Sequence, residues 1–364
     1  MQKSEKQTEM AKRMPYFSRE TTSFLKGIAL VMMYVHHFFT FPSFWPAGVQ
    51  YPLLEQLAPY LGRPMKLCVP LFCFLTGYTY FFGRDKSYHY SLRKITDVLV
   101  SYWLVFLLFA IAAAACGYNY SLKGVLLELF ALERPTMVFC WYIYFYIVTM
   151  LVLPLLHKGM GRNLWLDLFT TQILLRFGLK GAEMVFHEPL VHEVIGNTLQ
   201  WLPVVLTGYL FACYGGFEKL DDIFPHHPGK MFLCILIFLL VPFGRNIEPV
   251  LVLPFAGHPA ISLGNVLDVL ITPLFVFAAV QLQQALPNGK GSGVFAWIGK
   301  YSMYMWYLHC IFFNNAQDFF KPILYAPRFP VLVLLWGLVL GGTLAWLLDK
   351  PASRINTLKS KIMF

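Results

Sequence analysis

Ten long apolar runs, near 24–41, 67–83, 95–116, 137–156, 164–180, 197–215, 230–244, 261–284, 294–316 and 329–348, constrain this chain more than anything else in it. A helix needs roughly 20 apolar residues to cross the hydrocarbon core of a bilayer. The fifth run carries Asp167 and Arg176 and the seventh is short, so these two are the weakest of the ten. The runs do not alternate polar with apolar residues, as barrel strands would. In lipid every backbone group must be satisfied internally, which leaves helices. The predicted fold is therefore all-α, a polytopic transmembrane helix bundle of about ten spans.

Composition agrees. Of 364 residues, 57% are hydrophobic and only 13% charged, against roughly 25% charged in a soluble domain. The 34 Phe and 20 Tyr suit a chain whose rings sit at membrane interfaces. The net charge of +10 does not point to nucleic acid, because the cations lie in short loops between apolar runs. With the N-terminus inside, the cytoplasmic loops hold 20 Lys and Arg and the opposite loops 8. That bias places the N-terminus in the cytoplasm, and an even number of spans brings the C-terminus there too. Residues 1–22 are polar and mixed in charge, and no small-residue cleavage site follows the first apolar run, so that run is expected to be a retained span rather than a secretory signal. The expected organisation is a cytoplasmic tail over 1–22, a transmembrane domain over 23–351 and a second cytoplasmic tail over 352–364. The longest loops, 42–66 and 117–136, fall outside. The seven cysteines form no Cys-x-x-Cys pair and lie mostly within apolar runs, which describes neither a disulfide framework nor a zinc site. No metal is expected.

Ionisable side chains at membrane depth mark function or a buried pair. In the first run, Lys26 and His37 are 11 residues apart. That spacing puts them on one helix face, about 20° off register and roughly 16 Å apart along the axis. His37 is able to deprotonate a hydroxyl near neutral pH, and Lys26 at the cytoplasmic mouth is able to bind a phosphate as a point charge. The plainer alternative is that Lys26 snorkels to headgroups and one of His36 and His37 caps a neighbouring helix. Thr76-Gly77 in the second run permits close helix approach. Arg93 and Lys94 precede the third run on the inside, where they would bind anionic lipid or an anionic ligand such as a nucleotide. Trp141, Tyr142, Tyr144 and Tyr146 at the start of the fourth run are an interfacial belt or a sugar-stacking platform. Asn265, Asp268 and Thr272 share one face of the eighth run, and Asp268 is set to pair with a buried cation. In the ninth run Tyr301, Ser302 and His309 are candidate donors or cavity lining.

Together these segments resemble the membrane-bound acyltransferase 3 family. Lys26-Gly27 with His37 matches the family's Arg-Gly start and its His eleven residues on, with Lys for Arg. Phe74-Leu75-Thr76-Gly77-Tyr78 is similar to Phe-x-x-Ser-Gly-Tyr, with Thr for Ser. Trp141-Tyr142 resembles the start of the family's middle span. Ile298-Gly299-Lys300-Tyr301-Ser302 through Tyr307-Leu308-His309 is similar to its Gly-Arg/Lys-x-Ser…Leu-His signature. Asp349-Lys350-Pro351 resembles its acidic-Lys-Pro end. The matches come in order over residues 24–351. Thr96 stands where the family often has a second Arg beyond Arg93, and this departure, like Lys26, weakens anion grip.

The resemblance implies an O-acyltransferase that moves an acyl group, usually acetyl from acetyl-CoA, to a hydroxyl of a cell-surface or lipid-linked carbohydrate. By the same resemblance His37 is the catalytic histidine, Lys26 takes the place of a phosphate-binding Arg and Arg93 matches part of a basic pair; with Lys94 beside them, these cations are expected to hold the acyl-CoA phosphates. Thr76, Trp141, Tyr142, Tyr301, Ser302 and His309 line the cavity. No permanently bound cofactor is implied; acyl-CoA is a co-substrate. The implied partners are membrane lipid, acyl-CoA, a glycan or lipid-linked sugar and polysaccharide-synthesis proteins, with no nucleic acid. The implied location is a bacterial-type plasma membrane. The competing expectation is a transporter or flippase of a lipid-linked glycan or exported polysaccharide, and a third is a structural partner of a polysaccharide synthase.

Overall fold

The computed structural model describes residues 14–83, 85–223, 229–247, 265–286, 292–313 and 317–363, with side chains to residue 358. Residues 1–13 of the expected N-terminal tail, 261–264 of the eighth run, 314–316 of the ninth, and the loop cations Arg84 and Lys290 lie outside the described residues. Among those described there are helices and no strand.

The first run is one unbroken helix, α1 (Arg19–Phe39). Ser18 starts it by accepting a hydrogen bond from the Thr21 N–H at 3.1 Å, which satisfies one of the four amides a helix N-terminus leaves open. A short helix, α2 (Pro52–Met65), follows in the long loop after it, and the second run is α3 (Cys68–Phe81). The third run is α4 (Tyr88–Ala115), capped by Ser87 on the Tyr90 N–H at 3.2 Å. The loop beyond it holds α5 (Leu122–Glu128), and the fourth run is α6 (Tyr142–Gly159).

The fifth run, suspect on account of its charges, is helical throughout: α7 (Leu164–Leu168), a π-helical turn (Phe169–Leu174) and α8 (Leu175–Val185). Asp167 is absorbed locally, accepting from the Gly161 N–H at 2.7 Å and the Tyr214 hydroxyl at 2.6 Å. Next comes α9 (Pro189–Tyr214), ended by Gly215 in the left-handed conformation at φ 64°, and then α10 (Gly216–Ile223). The seventh run, α11 (Gly229–Leu240), is extended by a 3-10 turn (Val241–Asn246), and the eighth is α12 (Asp268–Ala285).

The ninth run is broken. α13 (Ser292–Lys300) stops at Tyr301, where the backbone leaves the helix at φ −99°, ψ 5°. It resumes as α14 (Ser302–Leu308) and tightens into a 3-10 turn (His309–Phe312). A short α15 (Gln317–Tyr325) leads to the last run, α16 (Pro330–Met363). That helix carries on through Pro351 and most of the expected C-terminal tail.

The body of each of the ten runs thus lies on helix, although residues 137–141 at the start of the fourth are turn. Among the described residues six helices are long and apolar enough to cross a membrane: Tyr88–Ala115, Tyr142–Gly159, Pro189–Tyr214, Gly229–Asn246, Asp268–Ala285 and Pro330–Leu358. Leu107, Ile111, Leu155, Phe232, Leu335 and Val339 are exposed on their outer faces, as side chains facing lipid would be.

Two glycine crossings hold the middle of the bundle. A Cβ on Gly27 of α1 would collide with the Phe295 carbonyl of α13, and one on Gly299 of α13 would collide with the Ser23 carbonyl of α1. Gly77 of α3 and Gly208 of α9 repeat the arrangement against the Val205 and Phe74 carbonyls. Association in lipid relies on such close backbone approach, because burying apolar side chains gains little there. The glycines beside Lys26 and Thr76 are therefore packing residues, and they fix how their charged and hydroxylic neighbours face the interior.

Candidate active site

Because α1 is continuous, Lys26 and His37 keep the face and the roughly 16 Å separation that their spacing implies. Lys26 lines a cavity of about 900 Å³ at the N-terminal end of α1. Thr76 of α3, Lys94 of α4, Tyr142 of α6 and Ser302 of α14 line the same cavity. The rotation of α4 within the bundle decides which of two adjacent cations serves it. Lys94 turns inward, its ammonium 5.7 Å from the Tyr90 ring centroid and 4.0 Å from Asp97. Arg93, one residue earlier and about 100° around the helix, is exposed and outside the cavity lining. Thr76 donates its hydroxyl to the Phe72 carbonyl at 2.8 Å.

His37 lines a second, smaller pocket of about 210 Å³ with His36, Lys66, Phe139 and Trp141. Phe72, Tyr142 and Trp306 line both spaces and divide them. The Phe72 and Trp306 rings stack at 6.1 Å, and Tyr142 meets Trp306 edge-on at 4.9 Å. Trp141 stacks on the buried Trp201 at 6.1 Å, so the pair Trp141-Tyr142 frames the His37 pocket rather than lying in an exposed belt.

The His37 imidazole is clamped. Phe139 stacks on it at 4.0 Å, and the His36 and His309 rings each lie 5.0 Å away. His36 is the residue with the helix-end role: its Nδ1 lies 3.2 Å from the Thr40 hydroxyl, which itself donates to the His36 carbonyl at 2.6 Å. His309 is fully buried, stacked on Phe139 at 5.6 Å. Its Nδ1 is held by the Trp306 carbonyl. A carbonyl only accepts, so the proton sits on Nδ1 and Nε2 is left with a lone pair. That Nε2 and the His37 Nδ1 are both buried without a hydrogen-bond partner. His37 Nε2 is then the nitrogen turned to the pocket.

Of the remaining expected residues, Tyr301 lies at the break in the ninth run, outside both linings, with the Lys300 ammonium 5.0 Å over its ring. Asp268 has a named partner: Arg245 at the end of the seventh run, with Nε at 2.7 Å and Nη2 at 3.1 Å from its two carboxylate oxygens. Lys66, Phe72, Phe139 and Trp306 were invisible to pattern reading. Lys66 reads as a loop charge, and the three aromatics are lost among 17% aromatic residues.

An all-helical bundle with six helices able to cross a membrane, a half-buried histidine and a cation-lined cavity defines a multi-pass membrane protein. The family model of the acyltransferase domain of type 3 matches residues 23–350, nearly the whole chain, and the chain belongs to that acyltransferase family. No curated protein and no solved structure matches it.

Proposed function

We propose that this protein is an O-acyltransferase that takes an acyl group, acetyl foremost, from acyl-CoA and places it on a hydroxyl of a cell-surface or lipid-linked carbohydrate. The observation that carries this is the division of the site. One space holds the cations Lys26 and Lys94, the other holds His37, and only Phe72, Tyr142 and Trp306 stand between them. Phosphates of the donor rest at Lys26 and Lys94, with Arg93 reaching them from outside the mouth. The pantetheine arm runs along α1, and the thioester reaches the aromatic divide.

His37 Nε2 takes the proton of the acceptor hydroxyl as the oxygen attacks the thioester carbon. A tetrahedral oxyanion forms, the carbon–sulfur bond breaks, and the imidazolium returns its proton to the leaving thiolate. His309 positions His37: its Nε2 lone pair favours a proton on His37 Nδ1, which leaves Nε2 as the base. Trp141 offers a sugar ring a face to stack on, while Thr76, Tyr142 and Ser302 line the donor's path and Tyr301 lies at its edge.

Ten spans, both termini in the cytoplasm and a bacterial-type plasma membrane complete the proposal. The loop-charge bias supports it, and so does the helix found on each of the ten runs. The donor then enters from the cytoplasm and the acceptor meets His37 from the other side, where polysaccharide-synthesis proteins would supply it.

Purified protein mixed with radiolabelled acetyl-CoA and candidate glycans tests this directly. Label passes to glycan with wild type and not with a folded His37→Ala variant. Full activity in that variant overturns the role of His37. Export of a lipid-linked glycan is the second function in view, since broken helices such as the ninth run also build transport sites. Glycan movement across vesicles without acyl transfer would favour it.

A further inference from the structure

Two lysines stand at the His37 end of the site, and acyl transfer as such uses neither. Lys66 lines the small pocket, its ammonium 5.9 Å from the Trp201 ring centroid. Lys321 lies 5.7 Å from the Phe44 ring and 5.9 Å from the Phe313 ring. Those two rings are 5.4 Å apart, and Phe313 is 6.3 Å from the His37 ring. Among the described residues neither lysine is in an ion pair. The buried carboxylate at this end, Asp268, is already taken by Arg245 through two hydrogen bonds, and another guanidinium nitrogen of Arg245 goes to the Arg63 carbonyl.

A cation drawn out of water toward aromatic faces, with the neighbouring carboxylate occupied, is costly unless an anion arrives. Aromatic faces with ammonium groups beside them suit one ligand chemistry, a sugar ring carrying a carboxylate or a phosphate. The rings take the apolar face of the sugar and the ammonium takes its charge.

We propose that Lys66 is an acceptor-anion subsite, with Lys321 at its rim, and that the acceptor is an acidic carbohydrate whose hydroxyl is set against His37 by that contact. This rests on the acyl-transfer proposal for its purpose, but binding tests it without turnover.

The protein is placed in nanodiscs of zwitterionic lipid. Binding is measured for three trisaccharides: one containing uronate, one carrying a sugar phosphate and one neutral. Wild type binds at least one acidic trisaccharide about tenfold or more tighter than the neutral one, as expected for one charge-assisted hydrogen bond. Lys66→Met removes that preference and Lys66→Arg keeps most of it. The relative strength of the uronate and phosphate arms identifies which anion is native. Equal binding of neutral and acidic sugars, no binding of either acidic sugar, or an unaltered preference in Lys66→Met overturns the subsite. So does retention of anionic phospholipid through Lys66 that acidic trisaccharides fail to displace. Binding as expected with no acyl transfer to any acceptor would instead overturn the acyl-transfer proposal and leave the subsite standing.

Discussion

The rings of His37 and His309 lie 5.0 Å apart, and each keeps one buried nitrogen without a hydrogen-bond partner. The Trp306 carbonyl fixes the proton on His309 Nδ1, so the two orphaned nitrogens are complementary, a lone pair on His309 Nε2 and a site for a proton on His37 Nδ1. Removing a general base costs about a hundred- to ten-thousandfold in rate, and that is the expected loss in kcat for His37→Ala. His309→Ala is expected to lower kcat less, by about tenfold or more, with the KM for acyl-CoA unchanged. His309→Gln, which puts an amide near the Nε2 position, restores part of it. A merely structural role for His309 would instead change expression and melting temperature without separating kcat from KM.

The donor end makes a sharper distinction between neighbours in sequence. Lys26→Ala and Lys94→Ala should each raise the KM for acyl-CoA about tenfold or more, the worth of a hydrogen bond to a charged group. Lys26→Arg should preserve or improve it, because a guanidinium forks onto phosphate. Arg93→Ala should do less than Lys94→Ala and lose its effect at high salt, since Arg93 is exposed and screened. Steady-state kinetics over acetyl-CoA concentration at two ionic strengths check all four.

How much of this was legible beforehand follows from which contacts are local. Lys26 and His37 share a face because one helix carries both, and helix geometry is readable at a spacing of eleven. Gly27 and Gly77 stood out in their motifs, but their partners Gly299 and Gly208 lie far off in the chain, and only the crossings explain all four. Arg93 and Lys94 differ by one helical step, and nothing in their local sequence says which turns inward. Asp268 announced a need for a cation, yet Arg245 sat just beyond the shortest run and read as a loop charge. Trp306 and Lys66 meet at His37 from different elements, and no pattern within either element points there. The break at Tyr301 has no proline to announce it.

The glycine crossings predict a contrast within one residue type. Gly27→Ala and Gly77→Ala place a methyl group against backbone carbonyls that cannot step aside, and overpacking of this kind costs about 1–3 kcal/mol or more. Gly178 in α8 has open space around its Cβ position, so Gly178→Ala should be neutral, or stabilising by about 0.5–1 kcal/mol through helix propensity. Thermal unfolding in detergent, followed by retention of monodisperse protein, separates the two groups.

Arg245 and Asp268 are both buried, with 4% and 0% of their surface exposed. Removing one member of such a pair strands the other charge, at a cost of about 3–5 kcal/mol. Arg245→Met and Asp268→Leu should each be poorly expressed or melt early. The double variant should recover much of the loss, since two apolar residues of similar volume need no partner. Recovery would identify the pair as structural. A double variant that melts like wild type but has lost binding of acidic trisaccharides would add Arg245 to the acceptor-anion subsite.

The aromatic divide makes the last prediction. Trp306 touches both spaces, stacking on Phe72 and meeting Tyr142 edge-on. While the three rings stay together, a thioester in the larger cavity is kept from His37 and from any water that reaches the small pocket. On the proposed route, transfer requires the Trp306 ring to be displaced. Trp306→Ala opens the divide permanently. The expected result is hydrolysis of acetyl-CoA in the absence of any glycan, raised about tenfold or more over wild type, as for a site that has lost its protection from water. In the Trp306→Ala/His37→Ala double variant that hydrolysis should fall back, because the water is activated by the same imidazole. Release of free CoA, followed by thiol titration with and without acceptor, measures both. Hydrolysis unchanged in Trp306→Ala would mean that the divide does not separate donor from base.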